Sequence, residues 1–418
     1  MRDSLDVNAS KDRTVGTVVV AVSVLLFAAL LAVLIIRKNG IKEAEWLASR
    51  NSEPIPHVSG EELFPELYGE ETEVAGNDVE TESGEATADS VPENVYALEN
   101  KETVTFTFAG DVLLDENYAV MSTYLVNDSI LENCIDPKLL EIMRSSDIFM
   151  INNEFPYTNR GTPLANKAFT FRADPANVTI LDEMGVDIVS LANNHVTDYG
   201  EISLTDTLDT LNSAGIPYVG AGRDLEEASK VVYYKKGDYT IGVVSATEVE
   251  RLAVPDTRGA TDTTSGTFRC FQNDALEEVI REAKKECDFL IVYVHWGTES
   301  TDELDWSQPG QAADFTAAGA DVIIGAHPHV LQEIAYVNDV PVFYSLGNFW
   351  FNSKTQDSCL VTLEIGEDGL VSAKFIPCRT EGSKTYLATG KEEVRILDYM
   401  RELSDGVVID ENGYITRE

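Results

Sequence analysis

The stretch "DVIIGAHPHVLQ", Asp321 to Gln332, indicates how this chain is organised. Its three consecutive β-branched apolar residues predict a buried strand, and Gly325 marks the point where the chain leaves that strand. Two histidines, His327 and His329, follow directly and are separated only by a proline. Because proline fixes its own φ angle, the turn between the two imidazoles is stiff. The pattern predicts a pair of ligand-type side chains at the end of a strand.

Four further apolar runs lead into polar or ionisable residues in the same manner. These runs are "TVTFTFAGD", "SDIFMINNE", "VDIVSLANNH" and "CDFLIVYVHWG". Helices are predicted between several of them, and the alternation of strand and helix predicts an α/β domain built in layers. Ligands of such sheets bind beyond the carboxyl ends of the strands. We therefore expect one pocket to collect the polar residues of all five runs, namely Asp111, Glu154, Asn193, Asn194, His195, His295, His327 and His329.

The donor atoms at these strand ends are nitrogen and oxygen, and no cysteine lies among them. Four of the five histidines of the chain fall at these positions. Imidazole and carboxylate together suit a divalent transition metal such as manganese, zinc or iron, while the lack of thiolate argues against a closed structural zinc site. The alternative is a set of core or capping histidines with local hydrogen bonds. Four histidines at equivalent positions favour one or two metal ions.

The first hundred residues have a different composition. Val15 to Ile36 are 22 residues without a charge, which predicts a transmembrane helix after a short tail, residues 1–14. This run is longer than the apolar part of a cleaved signal peptide. Residues 37–100 form an acidic spacer that we expect to be disordered, since residues 43–100 hold 16 acidic residues and a single basic one. Basic residues flank the span equally, so charge leaves its orientation open.

The formal net charge of −41 argues against nucleic-acid binding, because phosphate backbones are repelled. An anionic substrate then needs local positive groups or a cation. Arg160, Lys167 and Arg172 lie between two of the strand ends. We expect Arg172 to bind substrate, because a guanidinium holds a carboxylate or phosphate with two hydrogen bonds. A surface ion pair with Asp174 is the alternative for this arginine.

Two more residues near the strand ends are candidates for the site. Glu299 follows His295 closely, so we expect it to orient that imidazole and to line the substrate site; an exposed loop carboxylate is the alternative. Asn348 ends the next strand and is expected to line the cleft with Asn193, unless it is a turn residue.

Cysteine usage adds one hypothesis. Cys359 and Cys378 lie on opposite arms of a predicted hairpin, so a cross-strand disulfide is predicted if the strand register and an oxidising compartment allow it.

Seven blocks, taken in order, resemble the CapA family, which is linked to poly-γ-glutamate capsule synthesis and whose domain is similar to the calcineurin-like metallophosphoesterases. The blocks are "FAGDVLL", "NNEFP", "FRADP", "LANNHVTDYG", "VHWGTE", "GAHPHVLQ" and "YSLGNFWF", within about residues 103–380. The resemblance implies a four-layer α/β/β/α metallophosphatase-like sandwich, assigned to residues 101–385 and followed by a C-terminal extension, residues 386–418.

The family also implies a location and partners. It implies a single-pass protein of the cell membrane whose C-terminal domain lies outside the cytoplasm. Its partners would be an anionic surface polymer, or the precursor of that polymer, and other membrane components of a capsule system. The role would be synthesis, export or processing of the polymer.

The metallophosphoesterase pattern can be carried over residue by residue. His195 resembles the histidine that donates a proton to the leaving group, and the metal ligands correspond to Asp111, Glu154, Asn194, His295, His327 and His329. One position departs: the superfamily has a histidine two residues after the first aspartate, and this chain has Leu113. Three functions stay open: a metal-dependent hydrolase or transferase, a non-catalytic polymer-binding or assembly subunit with a degenerate metal site, and a general metallophosphoesterase.

Overall fold

The computed structural model describes residues 94–249 and 257–418. The predicted tail 1–14, the transmembrane helix 15–36 and all but the end of the spacer 37–100 lie outside the described residues. Among the residues that the structure describes, no helix is both long and apolar enough to span a bilayer. The membrane anchor therefore stays a prediction.

Two mixed sheets form the frame of the described chain. The first has seven strands, in spatial order β1 (Val95–Ala97), β7 (Val232–Lys236), β8 (Tyr239–Thr247), β10 (Phe289–His295), β11 (Val322–Ala326), β13 (Val340–Phe343) and β12 (Ile334–Val337). The second has β17 (Lys384–Leu387), β16 (Gly369–Glu381), β15 (Gln356–Gly366), β2 (Val104–Val112), β3 (Ile148–Asn153), β4 (Ile188–Ser190) and β5 (Tyr218–Val219), with β14 (Asn348–Trp350) beside β2. Two small ladders pair β6 (Ala221–Gly222) with β9 (Gly266–Thr267) and β18 (Val407–Ile409) with β19 (Ile415–Arg417).

Helices connect the parallel strands of both sheets. Within the described residues they are α1 (Ala119–Val126), α2 (Pro137–Ser145), α3 (Thr179–Met184), α4 (Glu201–Ala214), α5 (Leu225–Ala228), α6 (Asp274–Ala283), α7 (Gln308–Ala318) and α8 (Lys391–Leu403), with short 3₁₀ turns at Leu131–Asn133 and Pro175–Val178. In the first sheet β8, β10 and β11 run parallel, and in the second β2, β3 and β4 do. The predicted α/β class is confirmed, as is the predicted hairpin with Cys359 and Cys378, β15–β16; β7–β8 and β12–β13 form two further hairpins.

The alternation of side chains along the strands explains how the layers stack. In β10, Ile291 and Tyr293 face an apolar cluster shared with β2 of the second sheet, while Val292 and Val294 face the opposite cluster. Such a strand is buried on both faces, which its unbroken apolar run anticipates. The outer face of the first sheet is covered by α6 and α7, and the outer face of the second by α2, α3 and α4. The layers therefore run helices, sheet, sheet, helices.

Both ends of the described chain pack onto this frame. β1 pairs in parallel with β7, so the predicted spacer ends before Val95. Residues 386–418, predicted as an extension, form α8 and the β18–β19 ladder. Ile396, Met400 and Ile409 from this part are buried in the cluster between the two sheets. The C-terminal residues thus belong to the same packed core.

The predicted disulfide between Cys359 and Cys378 is not formed, and the strand register explains why. Cys359 lies opposite Pro377, and Cys378 lies opposite Ser358. Because neighbouring residues of a strand point to opposite faces, the two sulfurs are on different sides of the sheet. Cys359 packs between the sheets and Cys378 packs under the helices of the outer face. Both are free, buried thiols.

Gly110, directly before Asp111 in β2, lies where two backbones approach closely. A Cβ at this position would stand 1.9 Å from the carbonyl oxygen of Gly347. We expect Gly110→Ala to lower the free energy of unfolding by about 2 kcal/mol, because overpacking against backbone cannot relax easily. Gly310→Ala in α7 is the matched control, since nothing lies within 4 Å of that Cβ. Urea unfolding compares the two variants, and equal midpoints would contradict the expectation.

Candidate metal centre

The strand ends of both sheets meet at one pocket, as the sequence predicts. Asp111 ends β2, Glu154 follows β3 and His295 ends β10. His329, from the turn after β11, places its Nδ1 2.9 Å from Asp111 Oδ2 although 218 positions separate the two residues. Asn194, after β4, places its Oδ1 3.0 Å from His295 Nε2. Side chains from five different strand ends are therefore in contact.

Glu154 is the centre of the pocket. Its Oε1 lies 3.6 Å from His295 Nε2, 3.8 Å from His329 Nε2 and 3.9 Å from His195 Nε2. The carboxylate is fully buried, and this oxygen has no hydrogen-bond partner among the residues that the structure describes. The distances are too long for hydrogen bonds, whose heavy atoms lie about 2.7–3.2 Å apart. They suit donors that share a cation bound at about 2.0–2.2 Å, so the residues present fit a metal ion.

The donors divide into groups that share Glu154. One group joins Glu154 to His295 and His327, and all three residues are buried. Another joins Glu154 to Asp111 and His329. A carboxylate common to two groups is the arrangement in which one side chain bridges two neighbouring ions.

Burial sets the protonation of these donors. Burial lowers the pKa of His295 and His327 well below the usual histidine value, and neighbouring imidazoles lower both further. Burial raises the pKa of Glu154 well above its usual value, and the Asp111 carboxylate adds to that shift. Burial alone would lower the pKa of His329, but the hydrogen bond to Asp111, the charges of Asp111 and Glu299 and the hydrogen bond to Asn348 together outweigh this and raise that pKa. Two imidazoles are thus neutral at pH 7, which is the form that binds metal.

The turn that carries His327 and His329 is strained. Both residues have positive φ, +100° for His327 and +59° for His329. Such backbone conformations cost about 1–3 kcal/mol in non-glycine residues and persist where the surroundings impose them. The strain has a geometric result: the two side chains point to different groups of donors. The ring of His327 lies 4.6 Å from that of His295, while His329 reaches across to Asp111.

His195 stands beside the donors with its ring fixed from two sides. Its Nδ1 lies 2.7 Å from Asp198 Oδ2, and its ring lies 4.2 Å from the ring of Phe171. Asp198 is fully buried and forms an ion pair with Lys167, with 2.7 Å between Nζ and Oδ1. The Lys167 ammonium also donates to the backbone oxygen of Asn194. With Nδ1 held by Asp198, the Nε2 atom of His195 faces the pocket.

Asn152 is a member of the site that the sequence did not reveal. Its Nδ2 donates to Asp111 Oδ1 at 2.7 Å and to His295 Nδ1 at 3.2 Å. It therefore orients one carboxylate and one imidazole from near the end of β3. In the motif "NNE" it lies two residues before Glu154. Because side chains of a strand alternate with a period of two, this spacing indicated that Asn152 and Glu154 point to the same side.

Two of the predicted substrate-site residues have other contacts. Asn193 donates through Nδ2 to Asn152 Oδ1 and to the backbone oxygen of Asn153, and its Oδ1 accepts from the backbone of His195. Its amide therefore braces the turn, and its substrate-binding role stays a prediction. Glu299 does not orient His295, because the ring nitrogens of His295 face Asn152 and Asn194. The orienting role is thus not found, whereas the place of Glu299 at the substrate site stays a prediction; Glu299 is exposed beside the His-x-His turn.

The remaining predicted residues lie near the pocket. Asn348 Oδ1 is 3.0 Å from His329 Nδ1. The guanidinium of Arg172 lies 4.6 Å from the centre of the Tyr199 ring. Among the described residues, Arg172 forms no ion pair with Asp174, whose carboxylate accepts from the backbone of Ala176 instead. The ion pair with Asp174 is thus not found, and substrate binding by Arg172 and Asn348 stays a prediction.

The position of the missing histidine is occupied by apolar packing. Leu113 is 1% exposed and belongs to the cluster between the second sheet and its helices. It contributes no donor to the pocket.

The buried ion pair of Lys167 and Asp198 should carry a large share of local stability. We expect Lys167→Met to lower the free energy of unfolding by about 3 kcal/mol, because it leaves the Asp198 carboxylate buried without its cation. Lys101→Met is the matched control: Lys101 pairs with Asp147, but half of its side chain is exposed. Its loss should cost much less, because exposed ion pairs contribute little to stability. Equal losses of unfolding free energy for the two variants, measured in urea, would show that burial of an ion pair does not determine its contribution to stability.

Residues 105–353, more than half of the chain, match the family model described as "Bacterial capsule synthesis protein PGA_cap". The PGA biosynthesis protein CapA of Bacillus subtilis (strain 168) is 32% identical over 268 residues, which are 63% of this chain and 68% of that protein. The capsule biosynthesis protein CapA of Bacillus anthracis is 28% identical over 309 residues, 71% of this chain and 72% of that protein. A probable polyglutamine synthesis accessory protein of Mycobacterium tuberculosis (strain CDC 1551 / Oshkosh) is 28% identical over 258 residues, 56% of this chain and 66% of that protein.

Proposed function

The chain belongs to the PGA_cap family of bacterial capsule synthesis proteins, and from this premise we propose that it is a metal-dependent hydrolase or transferase acting on an anionic capsule polymer of the poly-γ-glutamate type or its precursor. The observation that carries the proposal is the buried Glu154 Oε1, which lacks a hydrogen-bond partner in the described part of the chain and faces three imidazole nitrogens. A buried acceptor left in this way needs a compensating partner. A divalent cation supplies it.

The fold supports a metallophosphatase-like assignment. Two stacked sheets with helices on both outer faces are what the resemblance to calcineurin-like metallophosphoesterases predicts. The candidate ligands stand at the carboxyl ends of the strands, where ligands of such sheets bind. We propose that the described residues adopt this fold type.

Glu154, Asn194, His295 and His327 would hold one ion, and Asp111, Glu154 and His329 would contribute to a second position. When bound, manganese, zinc or iron at this site lowers the pKa of a coordinated water and polarises the attacked oxygen. Asn152 keeps Asp111 and His295 oriented through its two hydrogen bonds. The buried shell excludes bulk water from these donors.

His195 is placed to act as general acid. Asp198 accepts from Nδ1, and this contact fixes the ring so that Nε2 points to the reacting centre. In the imidazolium form, with Nδ1–H kept by Asp198, the proton on Nε2 would pass to the departing group as the bond to it breaks; burial lowers the pKa of this imidazole, and the Asp198 carboxylate opposes that shift. Phe171 prevents the ring from turning away. Lys167 balances the charge of Asp198, so the carboxylate can stay ionised in a buried position.

Binding of an anionic polymer needs positive charge on a strongly acidic protein. The Arg172 guanidinium, stacked on Tyr199, is half-buried and has its planar face fixed. We propose that its free edge binds a carboxylate or phosphate of the substrate. Asn348 would line the same cleft beside His329.

We also propose a location and partners. Residues 15–36 would anchor the chain in the cell membrane, and residues 37–100 would hold the folded domain away from the bilayer on the extracytoplasmic side. Other membrane components of a capsule system would act beside it. The relatives described as capsule biosynthesis proteins support this context.

One observation favours a second candidate function. Leu113 is buried at a position where the superfamily has a metal-binding histidine. A protein that had lost one ion would serve as a non-catalytic polymer-binding or assembly subunit. The Asn194–His195 pair, with the imidazole kept in working geometry by Asp198, favours the enzyme.

The test measures bound metal and turnover on the full chain, purified in detergent. We expect about one or two transition-metal ions per chain and shortening of poly-γ-glutamate that stops on chelation and returns with Mn²⁺. His327→Ala should lose the metal and the activity. His57→Ala, at the histidine of the predicted acidic spacer, is the matched control and should keep both. Cleavage of a generic phosphoester without any effect on polymer would favour a general metallophosphoesterase. Polymer binding without metal would leave only the assembly subunit.

A further inference from the structure

Glu299 lies beside the His-x-His turn and forms a third group of donors. A carboxylate oxygen of Glu299 and one ring nitrogen each of His327 and His329 lie within 4.8 Å of one another. Glu299 is exposed, His327 is buried and His329 is partly buried, so the group stands at the mouth of the pocket. It shares His327 with the inner group and His329 with the group that contains Asp111.

The loop that carries Glu299 is held firmly against this turn. The backbone nitrogen of Ser300 donates to the backbone oxygen of Pro328 at 2.8 Å. Gln332 Nε2 donates to the backbone oxygens of Thr301 and Glu303 at 3.2 and 3.1 Å. Gln332 is itself held by Gln308, whose Nε2 lies 2.9 Å from its Oε1, and both glutamines are fully buried. The Glu299 carboxylate is therefore positioned by the fold.

A second observation points to a ligand at this place. His327 is 4% exposed, and its Nδ1 has no hydrogen-bond partner among the described residues. A buried imidazole nitrogen without a partner is costly unless something binds it. The turn that directs this ring is also strained, with φ of +100°.

The family pattern leaves one ion short of donors in this chain. Leu113 replaces a histidine, and both oxygens of Asp111 already accept hydrogen bonds, from Asn152 and His329. A second ion that depended on Asp111, Glu154 and His329 alone would be weakly held. An additional carboxylate would restore the usual ligand number for a transition metal.

We infer that Glu299 is a metal ligand, which joins His329, Asp111 and Glu154 in holding a second divalent transition metal ion and thereby replaces the donor lost at Leu113, while His327 stays with the first ion. The inference rests on the metal site of the proposed function. Glu299 lies on the loop after β10, a strand of the first sheet. In the superfamily pattern the corresponding ligand is a histidine at the position of Leu113, directly after β2 of the second sheet. Carboxylate and imidazole donors together suit manganese, zinc or iron.

The test is a titration of the metal-free full chain with Mn²⁺ alone, followed by calorimetry and by the Mn²⁺ electron paramagnetic resonance spectrum. We expect two ions per wild-type chain, with a spectrum of a coupled pair. Glu299→Gln should keep the first ion and weaken the binding of the second at least tenfold. Loss of a residue that only hydrogen-bonds to a metal ligand already lowers metal affinity about tenfold, and loss of a ligand should lower it no less. The spectrum should become that of an isolated ion.

Glu303→Gln is the matched control, because it makes the same change of charge on the same exposed loop and leaves the donor group intact. It should bind two ions as the wild type does. Two equally tight ions in Glu299→Gln would overturn the inference, and so would a wild-type chain that binds only one. Both results would leave the proposed function standing. Absence of any bound Mn²⁺ in the wild type would instead refute the proposed function itself.

Discussion

Replacement of His195 by glutamine should lower kcat by about 10²–10⁴-fold, the contribution typical of a well-placed general acid. Glutamine has similar size and polarity, but it cannot deliver a proton at neutral pH. The metal content should not change, because His195 belongs to none of the groups that could hold an ion. The measurements are polymer shortening under saturating Mn²⁺ and metal analysis of the same preparation.

A change of leaving group separates proton donation from simple damage to the site. A p-nitrophenyl ester releases a stable anion that needs no proton, so His195→Gln should lose much less activity on it than on the polymer. Asp198→Asn should give an intermediate loss on the polymer, since the imidazole keeps its place but loses its ionic partner. An equal loss on both substrates would contradict the role of His195 as proton donor. Full activity of the variant on the polymer would contradict it too.

The convergence of the site could be predicted because its members follow local patterns. Each of them ends an apolar strand, and parallel strands of an α/β sheet bring their carboxyl ends to the same edge. The residues obtained in this way are Asp111, Glu154, Asn194, His195, His295, His327 and His329. The layered fold could be predicted in the same way, because the hydrophobic periodicity of strands and of the helices between them is visible in the sequence.

The rest of the site depends on tertiary contacts that have no local signal. Lys167 reaches Asp198 from a loop 31 positions earlier, and only the folded chain shows that both are buried. The placement of Glu299 depends on Gln308 and Gln332, two glutamines that read as ordinary polar residues in the sequence. Sequence spacing put Glu299 near His295, whereas the turn at Gly297 directs the loop to the next strand end.

The cysteines illustrate a different limit. A hairpin was predicted correctly from its turn, yet a register one residue away from the assumed one places Cys359 and Cys378 on opposite faces. Side chains in a strand alternate with a period of two, so the smallest error in register reverses the conclusion. Pairings across a sheet therefore need the structure.

The pocket stores unfavourable energy that metal binding would release. Glu154 is a buried carboxylate beside Asp111, with one oxygen unpartnered, and the nearby turn has two residues at positive φ. A buried acceptor left unsatisfied costs about 1–3 kcal/mol. Without an ion, such a site lowers the stability of the fold. With an ion it favours high affinity, because the donors need no reorganisation when the ion arrives. A variant that removes the Glu154 charge should therefore change the free energy of unfolding in opposite directions without and with metal.

Glu154→Gln should make the metal-free protein more stable, by about 1 kcal/mol, because the amide removes a buried charge and its nitrogen can donate to a neighbouring imidazole. The same variant should lose high-affinity metal binding, since it removes the carboxylate that both inner groups share. At Mn²⁺ a hundredfold above the dissociation constant, the wild type gains about 2.7 kcal/mol and the variant gains little. The order of the two unfolding midpoints in urea should therefore reverse on adding Mn²⁺. Glu303→Gln, an exposed change of the same charge, should follow the wild type in both conditions. If Glu154→Gln is the less stable protein without metal, or gains as much from Mn²⁺ as the wild type, then Glu154 is not the shared ligand at the centre of this site.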